Sequence, residues 1–105
     1  MPSDRIAQLQ RFFDEDPDDP FNLYALALEH QKDDRRKAFE IFETLLEKHA
    51  TYLPTYYHAA KLYQELNDRE KAISVYERGI ALAKDLSDRK TMRELRSALD
   101  ELTFE

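Results

Sequence analysis

The sequence predicts an all-α domain built as a stack of antiparallel helix pairs, and three observations carry that expectation. The stretch from Pro20 to Lys84 is one pattern written twice at a spacing of 34 residues. Eight positions repeat identically: Pro20/Pro54, Ala25/Ala59, Leu28/Leu62, Asp34/Asp68, Arg35/Arg69, Lys37/Lys71, Ala38/Ala72 and Glu43/Glu77. Ile41/Val75, Phe42/Tyr76 and Leu46/Ile80 repeat in character. A fixed period of that size belongs to helix–turn–helix units that stack on one another. Composition agrees, because one Gly and four Pro in 105 residues suit helices joined by short turns. Apolar residues recur at helical spacing, and no run of β-branched residues alternates with polar ones.

The elements follow in chain order. Ser3 can cap a first helix, expected over residues 3–14, with Asp4 favourable to the positive end of its dipole. Ile6, Leu9, Phe12 and Phe13 make its apolar stripe. The segment resembles the second helix of a pair whose first helix is missing, and so reads as an N-terminal cap. Asp14, Glu15, Asp16, Asp18 and Asp19 then form an acidic run broken by Pro17. A calcium loop would need spaced oxygen ligands around a Gly, and this stretch has none. It reads as a solvated turn, with Asp19 the N-cap and Pro20 the first helical residue.

The first copy (residues 19–50) is expected as helices from about Pro20 to Lys32 and from about Arg35 to His49. The second (residues 53–85) runs from about Pro54 to Leu66 and from about Arg69 to Lys84. Ala38 and Ala72 fall where the helices of each pair cross, and Gly79 reads as a close contact with the neighbouring repeat. Ser87 is expected to cap a final helix over 87–103, whose stripe Met92, Leu95, Leu99 and Leu102 docks it on the stack. The whole, 1–105, is read as a single domain with capping helices at both ends.

The second copy, PTYYHAAKLYQELNDREKAISVYERGIALAK, carries the small pair Ala59-Ala60, then Tyr63, Ala72, Tyr76 and Gly79. It resembles the tetratricopeptide repeat, whose pattern is a large residue, a small pair, a Tyr, an Ala, an aromatic and a closing Pro. The first copy departs from it at Leu26, Glu29 and Leu45. The resemblance implies a right-handed superhelical stack with a concave groove lined by the first helix of each pair. Carried over by register, the groove positions are Leu23, Ala27, His30 and Gln31, then Tyr57, Lys61, Gln64 and Glu65. A slip of one residue in the first copy would bring in Tyr24. Lys90, Arg93 and Glu94 could complete the wall from the last helix. Some members grip a peptide carboxylate with a Lys followed four residues later by Asn; here the matching places hold Leu23 and Ala27, then Tyr57 and Lys61, so that clamp is absent.

Enzymes are disfavoured by the residues themselves. His30, His49 and His58 lie on three different helices, which leaves no converging metal set. A single Gly rules out a glycine-rich phosphate cradle, and Ser3, Ser74, Ser87 and Ser97 have no base beside them. No catalytic residue, metal or cofactor is expected. The net charge of −6 disfavours nucleic acid and anionic membranes. No cysteine, no signal-peptide pattern and no long apolar run point to the cytoplasm.

The expected function is a non-enzymatic interaction module that binds a peptide or partner protein in its groove. The alternative is a self-associating structural adaptor, a monomer or weak homodimer that pairs through the groove or through the Met92, Leu95, Leu99, Leu102 stripe. Tyr56 and Tyr57 are about 100° apart on a helix. Only one of them can enter a given core, and the other should face the groove or the next repeat.

Overall fold

A computed structural model describes residues 4–104. Six α-helices make up all the regular structure there: α1 (Asp4–Glu15), α2 (Pro20–His30), α3 (Arg35–Lys48), α4 (Pro54–Glu65), α5 (Arg69–Asp85) and α6 (Arg89–Thr103). The expected Ser3 cap lies outside the described residues. The chain divides into two compact units, Met1–Tyr52 and Leu53–Glu105. Their junction coincides with the start of the second copy of the repeat.

In the first unit α1 packs on α2, and α2 packs on α3 as an antiparallel pair. Asp19 ends the acidic turn by accepting the Phe21 N–H at 3.0 Å, and Pro20 opens α2 where a missing N–H costs nothing. Asp34 caps α3 by accepting the Lys37 N–H at 3.1 Å. The interior is Leu9, Leu26, Ala27, Ala38, Ile41, Phe42, Leu45 and Leu46.

In the second unit α5 is the middle helix, with α4 and α6 both packed against it. Asp68 caps α5 through the Lys71 N–H at 3.2 Å, repeating the role of Asp34 one period earlier. That shared task explains why an Asp stands at both positions: a carboxylate satisfies amides that the first helical turn leaves free. Ala38 and Ala72 have no exposed surface, as their place at a helix crossing requires.

Two of the turns share one design. After α4, Asn67 takes a left-handed conformation (φ 64°), and the Asp68 N–H reaches back to the Tyr63 carbonyl at 2.9 Å. After α5, Ser87 does the same (φ 58°), with the Asp88 N–H on the Ala83 carbonyl at 2.9 Å. Both are Schellman turns, which satisfy the last carbonyls of one helix before the next begins. Ser87 therefore closes α5 instead of capping α6. Asp88 is the cap, accepting from the Thr91 N–H at 3.0 Å and its hydroxyl at 2.8 Å. Those bonds hold the Asp88 carboxyl below its usual pKa.

Gly79 sits where the three helices of the second unit meet. A Cβ there would stand 2.7 Å from the Tyr56 Cβ and 3.0 Å from the Leu95 Cδ1. The tightest approach is therefore to α4 of its own pair, with α6 completing the crowd, where the sequence reading expects a close contact with the neighbouring repeat. Leu95 and Ala98 bury the docking face of α6, while Met92, Leu99 and Leu102 are half-buried.

Candidate functional site: the outer face of α4

Adjacent tyrosines on α4 go opposite ways. Tyr56 is buried under the Arg78 guanidinium (5.6 Å to the ring centre) and against Gly79. Tyr57 is 37% exposed. The Lys61 ammonium lies 5.8 Å from the Tyr57 ring centre, a cation–π contact one helical turn along. The edge of the neighbouring His58 ring completes the cluster, at 5.5 Å and 81°. Burial pushes the His58 pKa below the usual histidine range, so its ring is neutral near pH 7.

Gln64 continues the same face, i+7 from Tyr57, and is half-buried. Its Oε1 is buried without a hydrogen-bond partner. Glu65, beside it, is exposed. The four expected positions of the second copy thus lie together on one helix: an aromatic plate, a cation, an unused acceptor and a carboxylate. Lys61 rests over Tyr57.

The first unit differs. Leu23, His30 and Gln31 on and just after α2 are half-buried, but Ala27 has no exposed surface. Ala27 follows Leu26 on the inward arc of the helix, and its methyl cannot line an open face. Tyr24 is half-buried, with its ring edge against Tyr52 at 5.6 Å and 65°. Burial raises the pKa of both, with Tyr52 acting further on Tyr24 and Asp19 on Tyr52.

On α6, Lys90, Arg93 and Glu94 are exposed. Leu95 belongs to the interior instead of an outward association stripe, because α6 needs it to cover Gly79. Tyr76, in the sequence only the aromatic of the repeat pattern, is the largest fully buried side chain among the described residues. Its hydroxyl has no partner, and its pKa is pushed up to about 12 by burial, with Tyr57 and Glu101 adding to the rise. Among the described residues no three His, Cys, Asp or Glu side chains gather as a metal site. Nor is any described helix long and apolar enough to cross a membrane.

Comparison with known proteins places this geometry. A tetratricopeptide repeat family model matches residues 53–86. A solution NMR structure of a tetratricopeptide repeat domain protein from Salinibacter ruber is 41% identical, with a TM-score of 0.80 over 86% of this chain and 93% of that one. A crystal structure from the same organism is 40% identical, with a TM-score of 0.79 over 82% and 98%. The MamA protein shares the fold at 20% identity, with a TM-score of 0.67 over 92% of this chain and 56% of its own. None of the curated protein sequences matches. The chain belongs to the tetratricopeptide repeat family. That fold is, in general, one of non-catalytic protein–protein interaction modules.

Proposed function

We propose that the chain is an adaptor that binds a peptide or partner protein along the outer face of α4. The observation that carries this reading is the exposed Tyr57 ring with Lys61 over it. An exposed tyrosine offers a large contact area at low entropic cost. One turn on stands a cation, and beyond it the buried, unpartnered Gln64 Oε1. That oxygen is turned inward and closed to a ligand, so Tyr57 and Lys61 supply the contact. The half-buried residues Leu23, His30 and Gln31 of the first unit are secondary candidates for a binding surface of that unit. The cysteine-free composition suits the cytoplasm.

The test is affinity capture from native lysate with the wild type and with Tyr57→Ala/Lys61→Ala in parallel. The reading expects a partner held by the wild type and lost by the variant while helicity is unchanged. A partner retained by the folded variant would remove α4 from the binding face.

A further inference from the structure

Exposed aromatic side chains stand at the α1–α2 turn, one corner of the first unit. Phe12, in the last turn of α1, is 44% exposed, and Phe21, in the first turn of α2, is 55% exposed. Asn22 fixes the corner, its Nδ2 donating to the carbonyls of Phe12 at 3.2 Å and Asp16 at 3.0 Å. Between the two rings runs the acidic segment, and no Lys or Arg occurs from Phe12 through Gln31. Asp14 accepts from Gln10, and Asp19 caps α2. Glu15, Asp16 and Asp18 are exposed and make no ion pair among the described residues.

The second unit carries the complement. Arg89, Arg93 and Arg96 stand at i, i+4 and i+7 on α6, all exposed and none paired with a carboxylate among the described residues. Arg93 and Arg96 line a hollow together with Ser97, Asp100, Glu101 and Phe104. Phe104 is 86% exposed.

We propose that the acidic aromatic corner of one copy docks on the arginine face of α6 in a second copy. Carboxylates meet guanidinium groups, which bind them bidentately. Phe12 and Phe21 meet Phe104 and the flat faces of Arg93 and Arg96, through apolar burial and cation–π attraction. The acidic corner does not pair with itself, since that would set carboxylate against carboxylate. The contact joins two different patches: made reciprocally it closes a two-fold dimer, and made once per pair it builds a ring or an open chain. Both halves of the complement stand unpaired in one sequence, which favours a second copy over a foreign basic partner. The net charge of −6 opposes association at long range. Salt near 0.1 M screens charges beyond about 10 Å and leaves close pairs attractive, whereas 1 M shortens the range to about 3 Å. The proposal is independent of the α4 face.

Sedimentation velocity across micromolar to millimolar concentrations tests it, with Phe12→Ser/Phe21→Ser (corner removed) and Arg93→Glu/Arg96→Glu (stripe removed). Every substituted side chain is exposed, and circular dichroism checks each fold. Asp16→Lys/Asp18→Lys replaces the corner variant if that one unfolds. The expected result is a wild-type mass that at least doubles with concentration in moderate salt and returns to monomer in 1 M salt. Each variant alone stays monomeric, their equimolar mixture forms a dimer and nothing larger, and Tyr57→Ala/Lys61→Ala associates like the wild type. A wild type monomeric throughout overturns the proposal, even if an arginine-rich peptide binds the corner. So does a mixture of the two variants that fails to dimerise.

Discussion

The two repeats are written from the same pattern and solve the same packing problem differently. In the first, the middle of the second helix is filled by Phe42 and Leu45, both fully buried or nearly so. In the second, the same places hold Tyr76 and Gly79, and the space that Leu45 fills is taken by Tyr56 from α4 and Leu95 from α6. The first unit also carries twelve acidic residues against seven basic, while the second carries ten against nine. The family model matches only the second copy. A repeat can thus keep its turns and its helix-crossing alanines while moving bulk from one helix to another. What has to be conserved within the pair is filled volume, and the residue that supplies it is free to change.

Exchanging those residues breaks the comparison most severely. Leu45→Gly removes a fully buried side chain and adds the backbone cost of glycine in a helix. Its expected loss is about 3–6 kcal/mol, measured by chemical denaturation. The reverse change, Gly79→Leu, forces a side chain against the Tyr56 Cβ and should cost about 1–3 kcal/mol. Equal and small effects at the two sites would mean that the repeats share one packing after all.

Tyr76→Phe should make the second repeat resemble the first and stabilise it by about 1 kcal/mol, since the hydroxyl it removes has no partner. The wild type should also lose stability as pH rises from about 10, the ordinary tyrosine value, toward about 12. Over that range the unfolded chain releases the Tyr76 proton and the folded chain retains it, so the unfolded state gains. Tyr76→Phe should flatten that slope, and an unchanged slope would place its source elsewhere.

The smallest effect is at the second Schellman turn. Ser87→Gly relieves a left-handed conformation and should add about 1 kcal/mol or less. A loss of stability would show that the serine side chain itself matters there.

Much of this was legible beforehand, for identifiable reasons. The 34-residue period, the repeated aspartates Asp34 and Asp68 at the turns and the crossing alanines Ala38 and Ala72 are set by backbone needs that leave few residue choices. The capping role of the aspartates is shown only by their hydrogen bonds. The features that were not legible are those decided by partners distant in sequence. Tyr56 and Tyr57 have the same chemistry, and only the space beside Gly79 selects Tyr56 for the interior. Ala27 suits an open face or a buried one equally well. Ser87 and Asp88 are both good caps, and the left-handed turn that separates their roles depends on the end of α5. Phe12 belongs to an apolar stripe, yet its ring stays exposed, which its spacing alone does not reveal. Leu95 reads as part of a docking stripe and serves as one, which removes it from any outward surface.

The most direct measurement compares thermal unfolding of Tyr56→Ala with that of Tyr57→Ala. The inward ring should cost about 3–5 kcal/mol. The outward one should cost about 1 kcal/mol or less, the worth of an exposed cation–π pair. Each kcal/mol should appear as a midpoint shift of roughly 4–8 °C. A Tyr57→Ala loss as large as that of Tyr56→Ala would make the outer face of α4 structural and remove the surface on which the proposed binding rests.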